Sequence, residues 1–257
     1  MHDIQNERDS RGIAIDEVGI SGLRYPLTFD DGHTRQQGIA DISVTVALQA
    51  DRRGTHMSRM IALVHEEIAT LTPQELPMAL KRGLTLLDAP ALTLTLALPL
   101  ATSVIAPASQ QESWQTHDVS VTGRIDPDGC TVTTAVTTDV TSLCPCSKAI
   151  SEYGAHNQRS EITLQVTGSA DTPYPLPFHE MVHLLRAAGS APVIPLIKRP
   201  DERVVTMQAY DHPVFVEDII RDISLTCRQK GLSHIIKAKN LESIHSHDAI
   251  AALHYTC

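Results

Sequence analysis

Two cysteines that flank a proline are the clearest chemical feature of the sequence. Cys144 and Cys146 stand in the segment TSLCPCSK, residues 141–148, directly after a predicted strand. The proline restricts the backbone between them, and the spacing differs from the Cys-x-x-Cys of structural zinc sites. Two half-buried thiols in a turn would explain the pattern. Two cysteines this close at a strand end also predict a metal ligand or a nucleophile.

A dense polar segment, EYGAHNQRS, follows at residues 152–160. Its His156 is of a residue type that binds metal ions or transfers protons. Its Arg159 is suited to a phosphate group, because a guanidinium donates two parallel hydrogen bonds to phosphate oxygens. A solvated loop without a chemical role is the alternative for this segment taken alone.

A third polar segment, KRPDE at residues 198–202, precedes a predicted helix. Asp201 there fits an acidic residue of the first helical turn, which the helix dipole stabilises. Glu202 is the candidate carboxylate ligand for a metal ion.

Two histidines, His245 and His247, lie in the segment ESIHSH that links the last two predicted strands. Histidines in such a short connection are exposed hairpin residues by default. Two of them within three residues are also candidates for proton transfer.

The segment HEMVH, residues 179–183, matches the zinc-protease pattern H-E-x-x-H on a predicted helix. A zinc metallopeptidase would bind the ion through His179 and His183 and use Glu180 as general base. Such a site also needs a third ligand. The metzincin extension that would supply one is absent, but Glu202 could take this place. The alternative places both histidines on the solvent face of the helix, and we regard the peptidase interpretation as the weaker one.

The elements that position these residues follow from hydrophobic periodicity. In residues 1–126 the apolar positions alternate, then recur at helical spacing, then alternate again. Thr72 and Pro73 predict the start of the second helix. The predicted order is strand, strand, helix, helix, strand, strand. Residues 127–257 repeat it after the turn signal DPDG, with helices at 178–188, 202–210 and 213–230 between two pairs of strands.

This repetition predicts an α+β fold of tandem ββααββ halves, residues 1–126 and 127–257, with antiparallel sheets backed by helices. Such halves have open sheet edges that must be paired or covered. We therefore expect a homo-oligomer.

Bulk composition excludes several classes of protein. The 257 residues carry a formal charge of −9, which argues against nucleic-acid binding because that needs a basic surface. The N-terminal segment is polar and lacks the apolar core of a signal peptide. No apolar run approaches the roughly 20 residues of a membrane helix. Five cysteines, an odd number, fit a cytoplasmic protein without disulfides.

Taken together, the polar segments resemble the type IB family of GTP cyclohydrolases. The similarity spans nearly the whole chain, and its segments occur in the family's order. They are GTHMSR at 54–59, TSLCPCSK at 141–148, YGAHNQRS at 153–160, KRPDE at 198–202, FVED at 215–218 and ESIH at 242–245. The HEMVH segment is not part of the family pattern.

The resemblance implies a tunnelling fold (T-fold) whose halves assemble into barrels in a homotetramer. It implies that GTP and water give 7,8-dihydroneopterin triphosphate and formate, at the entrance to tetrahydrofolate and pterin biosynthesis. The cofactor implied is a divalent metal ion, Mn²⁺, Fe²⁺ or Zn²⁺, which activates the water that attacks C8 of guanine.

Roles for individual residues follow from the same resemblance. Cys144, His156 and Glu202 would bind the metal, and His245, with His247 as second choice, would protonate the opening ring. Glu217 would anchor the guanine. The candidates for the triphosphate, some of them from a neighbouring subunit, are Arg59, Lys148, Arg159, Lys198 and Arg199. A T-fold nitrile reductase with Cys144 as nucleophile, and a pterin- or purine-binding protein without catalysis, are the alternatives.

Overall fold

The protein is described here as a computed structural model covering residues 4–257. This part of the chain forms ten strands and six α-helices. The strands are β1 Ile15–Asp30, β2 Arg35–Leu48, β3 Thr70–Leu71, β4 Leu92–Ile105, β5 Glu112–Asp126, β6 Gly129–Leu143, β7 Asn157–Ser169, β8 Ala191–Pro192, β9 Ser233–Leu241 and β10 Ala249–Tyr255. The helices are α1 Met57–Glu67, α2 Leu76–Leu87, α3 Pro145–Ile150, α4 Phe178–Ala187, α5 Arg199–Asp211 and α6 Val216–Gln229. None of the described helices is long and apolar enough to cross a membrane.

The chain folds into two compact units. Of the described residues, the first unit comprises 4–98, 120–134 and 167–175, and the second comprises 99–119, 135–166 and 176–257. The four long strands β4 to β7 contribute residues to both units. The predicted halves, 1–126 and 127–257, describe the order of elements along the chain and stay a prediction.

In the first unit, neighbouring strands follow the order β3-β1-β2-β4-β5-β6-β7. The predicted alternation along β4 is confirmed, because Leu92, Leu94 and Leu96 are all buried. Helix α2 packs closely at Gly83, where an added Cβ would lie 2.9 Å from a methyl carbon of Leu63 on α1 and 2.6 Å from a methyl carbon of Leu92 on β4. The second predicted helix begins later than expected, at Leu76, after a 3-10 turn at Pro73–Glu75.

The sheet is mixed, so the prediction of antiparallel sheets was wrong in one detail. Strands β1 and β2 pair antiparallel, as do β2 with β4 and β9 with β10. The two-residue strand β3, however, pairs parallel with β1. The connection from β1 to β3 runs through β2 and α1, which is long enough for the chain to return in the same direction.

In the second unit, neighbouring strands follow the order β4-β5-β6-β7-β9-β10, and β8 pairs with β6. Helix α6 packs on β9 and β10 with Ile219, Ile223 and Cys227 fully buried. Burial raises the pKa of the Cys227 thiol to about 11, so this cysteine is a core residue without thiolate chemistry.

A buried histidine joins three elements of the second unit. His117 on β5 accepts or donates at both ring nitrogens, 2.8 Å from the Thr102 hydroxyl and 2.7 Å from the Thr138 hydroxyl. Its ring meets Phe178 edge-on, with centroids 5.9 Å apart. Burial, with a smaller contribution from the charge of Arg186, lowers the pKa of His117 to about 4.

This histidine predicts a loss of stability in mild acid. Below pH 6.5 the His117 side chain is protonated in the unfolded chain, whereas in the folded chain it stays neutral down to about pH 4. Stability therefore falls as the pH falls through this window, by at most about 3 kcal/mol. Urea unfolding at several pH values should show a smaller loss for His117→Gln, which keeps partners for both threonines. An identical pH dependence in the two proteins would contradict the assignment.

Candidate active site

One cavity of the second unit gathers most of the chemically suited residues. Its volume is about 310 Å³. It is lined by Ser142, Cys144, His156, Gln158, Val214, Phe215, Val216, Glu217, Asn240, Glu242, His245, His247 and Ala249. The lining holds one thiol, two carboxylates and three imidazoles, and it contains no lysine or arginine.

The structure separates the roles of the two cysteines. Cys144 is the N-cap residue of α3, where its Sγ accepts a hydrogen bond from the Ser147 backbone N–H at 3.4 Å. It is half-buried and lines the cavity. Cys146 lies in the first turn of the same helix, is exposed, and does not line the cavity.

A main-chain hydrogen bond holds the two predicted metal donors side by side. The Cys144 N–H donates to the His156 carbonyl oxygen at 3.1 Å. The His156 N–H in turn donates to the Ser147 hydroxyl at 3.3 Å. The end of β6 and the start of β7 therefore place a thiol and an imidazole at one edge of the cavity.

Two residues that the sequence analysis left without a role stand next to His156. The Nδ1 atom of His156 lies 2.8 Å from Gln158 Oε1 and 3.9 Å from Glu242 Oε2. That Glu242 oxygen is buried and has no hydrogen-bond partner. Both residues belong to the segments that carried the family resemblance, which was the only available signal for them.

The chemistry of these donors fits a divalent metal ion. Thiolate, imidazole and carboxylate are the ligands that borderline divalent ions take in proteins. A buried carboxylate oxygen without a partner beside an imidazole is a costly arrangement that a cation would satisfy. Within residues 4–257, however, no three His, Cys, Asp or Glu side chains are close enough together to bind one ion as they stand.

Glu202 is not assembled with the other two predicted ligands. It is exposed on α5 and does not line the cavity. Its neighbour Asp201 is fully buried. The Asp201 carboxylate accepts hydrogen bonds from the N–H groups of Ala108, Ser109 and Lys198 and from the Ser109 hydroxyl, at 2.6–2.8 Å.

These bonds give Asp201 a structural role. Burial alone would raise the pKa of Asp201, but the bonds from Ser109, Lys198 and Ala108 outweigh it and hold the pKa far below the usual range. The predicted interaction with the first turn of the helix is present, since Asp201 caps the Lys198 N–H at the start of α5. The same carboxylate fixes α5 to the turn between β4 and β5.

The residues predicted to handle the guanine ring do line the cavity. Glu217 is in the first turn of α6 and exposes its carboxylate there. His245 and His247 are exposed and stack on each other, with ring centroids 5.2 Å apart and an interplanar angle of 16°. The structure therefore brings Cys144, His156, Glu217, His245 and His247 to one cavity.

None of the predicted phosphate ligands lines this cavity. Lys148 donates to the Tyr210 carbonyl and lies over the Tyr210 ring. Arg159 approaches Asp139 at 3.7 Å. Lys198 and Arg199 are exposed at the start of α5, and Arg59 is an exposed residue of the first unit.

The HEMVH segment does not form a zinc site. His179 and His183 are exposed on α4, and Glu180 pairs with Lys230 at 3.2 Å. No third ligand accompanies them among the described residues. The solvent-face alternative is confirmed.

Comparison with known proteins decides the family. Residues 1–251 match the family model GCHY-1, described as Type I GTP cyclohydrolase folE2. The chain belongs to this family. It is 39% identical over 255 residues to the GTP cyclohydrolase FolE2 of Cupriavidus necator, covering 98% of this chain and 94% of that one. It is 38% identical over 255 residues to the FolE2 of Neisseria gonorrhoeae, covering 98% of each.

Membership in the FolE2 family confirms the prediction of a GTP cyclohydrolase and corrects the predicted family. The type IB assignment was wrong, because the matching model is that of the type I FolE2 family. Short motifs around the site indicate the chemistry of a protein, but they do not separate related families that share it.

Solved structures of similar fold include uricases. The uricase of Arthrobacter globiformis aligns with a TM-score of 0.54 at 9% identity, covering 93% of this chain and 92% of that one. A uricase from Bacillus fastidious gives 0.52 at 9% identity, covering 95% and 94%. At such low identity the likeness shows the fold alone, and it confirms an α+β T-fold.

Proposed function

We propose that this FolE2 chain catalyses the metal-dependent hydrolytic opening of the guanine ring of GTP. The products are 7,8-dihydroneopterin triphosphate and formate, in the first step of tetrahydrofolate biosynthesis. The observation that carries the proposal is the cavity that combines Cys144 and His156 with Glu217 and His245.

A divalent ion, Mn²⁺, Fe²⁺ or Zn²⁺, is the proposed cofactor. Cys144 and His156 would hold it. Glu202 is the third ligand proposed from the sequence, and Glu242 is the carboxylate whose unpartnered oxygen lies beside His156. When bound, such an ion acts as a Lewis acid that activates water near neutral pH.

The chain's own side chains orient the substrate and move the proton. The Glu217 carboxylate accepts hydrogen bonds from the N1–H and N2–H groups of guanine, and Phe215 and Val216 provide apolar contact beside it. His245 donates a proton to the imidazole-ring nitrogen of guanine as its bond to C8 breaks. His247 stacks on His245 and so supports the orientation of the His245 imidazole.

The triphosphate extends beyond the cavity, since the lining residues include no cation. Lys148, Arg159, Lys198, Arg199 and Arg59 are the proposed ligands of the phosphate oxygens, some of them supplied by a neighbouring subunit. This arrangement goes with a homotetramer in which T-fold sheets pair edge to edge into barrels, as the open sheet edges favour.

Product analysis tests the proposal. Purified protein is stripped of metal and given GTP with or without added Mn²⁺ or Zn²⁺. We expect formate and pterin fluorescence to appear together, and only with metal. If the protein binds GTP but releases no formate with any of the metals, the function is nucleotide binding without catalysis. If GTP does not bind, the proposal is overturned.

A further inference from the structure

A series of hydrogen bonds between buried polar groups leads to His156, and only one assignment of donors and acceptors satisfies all of them. We infer that Ser142 and Gln158 fix the tautomer of His156, so that Nδ1 carries the hydrogen and Nε2 keeps its lone pair. Ser142 and Gln158 are positioning residues in this inference. Their effect on metal binding rests on the proposed function, whereas the tautomer itself does not.

The direction starts at a group that can only accept. The Val214 carbonyl oxygen lies 3.0 Å from the Ser142 hydroxyl oxygen. A carbonyl has no hydrogen, so Ser142 must donate. Ser142 is fully buried, and its single hydroxyl hydrogen is used in this bond.

The Ser142 oxygen can therefore only accept from its other neighbours. Gln158 approaches it at 3.4 Å and Asn240 at 3.3 Å, and both must present their amide nitrogens. At the other end of the Asn240 side chain, Oδ1 accepts a hydrogen bond from the buried Ser160 hydroxyl at 2.6 Å, so an amide nitrogen facing Ser142 leaves both ends of this side chain satisfied.

The orientation of the Gln158 amide then sets the imidazole. With its nitrogen towards Ser142, its oxygen faces His156 Nδ1 at 2.8 Å. An amide oxygen only accepts, so Nδ1 must carry the hydrogen, and a neutral ring then has its lone pair at Nε2. Glu242 Oε2, 3.9 Å from the same Nδ1, favours a hydrogen there as well.

The reversed amide would be unfavourable at both ends. Its oxygen would face the Ser142 oxygen with no hydrogen between them, and a buried acceptor without a donor is costly. Its NH₂ group would face Nδ1 and would leave the hydrogen on Nε2. The backbone carbonyl of Val214 thus specifies, through two side chains, which histidine nitrogen can bind a cation.

The test reads the tautomer directly, in metal-free protein with ¹⁵N-labelled histidine rings. Solid-state ¹⁵N spectra are recorded at about pH 8.5, well above the ordinary histidine pKa of about 6.5. The His156 signals are assigned by their loss in His156→Asn. We expect a protonated Nδ1 and an unprotonated Nε2 in the wild type, and a mixture of tautomers in Gln158→Leu and Ser142→Ala.

Ser160→Ala is the matched control. It removes the same kind of buried hydroxyl from the same network without touching the chain from Val214 to His156. It should keep the wild-type tautomer and metal affinity, while Ser142→Ala and Gln158→Leu lose about 10–100-fold in affinity for Mn²⁺ or Zn²⁺.

The outcomes separate this inference from the proposed function. An unchanged tautomer in folded Gln158→Leu would overturn the inference and leave the network as packing alone. A protonated Nε2 in the wild type would overturn it too. If GTP hydrolysis fails but the tautomer responds as described, the proposed function falls and the inference stands.

Discussion

Replacing Cys144 with alanine is expected to lower kcat/KM for GTP by at least about 10³-fold, with formate and pterin fluorescence lost together. The thiol lines the cavity next to His156, and the bond between the Cys144 N–H and the His156 carbonyl holds the two donors side by side. Alanine keeps the backbone but removes the one sulfur donor among the described residues that line the cavity. Metal content after dialysis should fall in parallel with activity.

Cys146→Ala is the matched control for this prediction. Cys146 is two residues away on the same short helix, is exposed, and does not line the cavity. Its variant should keep activity and metal content within about twofold, as surface substitutions do. Equal losses in both variants would assign the effect to the fold of the segment, and full activity in Cys144→Ala would remove Cys144 from the site.

Replacing Glu217 with glutamine is expected to lower kcat/KM for GTP by about 10²- to 10³-fold. A carboxylate can accept from both N1–H and N2–H of guanine, whereas an amide places its NH₂ against one of these donors. Losing charge-assisted hydrogen bonds costs about 1.5–3 kcal/mol each. Steady-state kinetics with GTP measure the loss.

Inosine triphosphate, which lacks the 2-amino group, sharpens this second prediction. The wild-type protein should prefer GTP strongly, and Glu217→Gln should lose most of that preference. Asp218→Asn is the control, because Asp218 is the next residue but caps α6 by accepting from the Phe215 N–H at 3.0 Å. It should affect stability more than nucleotide preference. If Glu217→Gln keeps the wild-type preference for GTP over inosine triphosphate, Glu217 does not bind the guanine and is only a surface residue.

Much of the fold was predictable because most elements bury one face. The alternation in β4 and the helical spacing in α6 are direct consequences of that burial, and both are confirmed. The two-residue strands β3 and β8 and the short helix α3 were not predicted. The strands β3 and β8 span a single period and α3 spans fewer than two helical turns, which is too short for a hydrophobic pattern to repeat.

The candidate site was predictable only where a residue type matched its chemistry. Cys144, His156, Glu217 and His245 were found from residue type and family motif, and they do line one cavity. No role was predicted for Glu242 or Gln158, because their importance comes from their position beside His156 Nδ1, which the sequence does not show. For the pair Asp201 and Glu202, the sequence could not show that the structure buries the first and exposes the second.

The main-chain bond between Cys144 and His156 also makes the loop between them replaceable. Residues 149–154 are all exposed, and Tyr153 is 93% exposed. The bonds from Cys144 N–H and His156 N–H close the base of this loop, and lengthening a closed loop costs little entropy. Residues 151–154, which follow the end of α3, are therefore a suitable insertion point for a fluorescent label that reports on the nearby donors without displacing them.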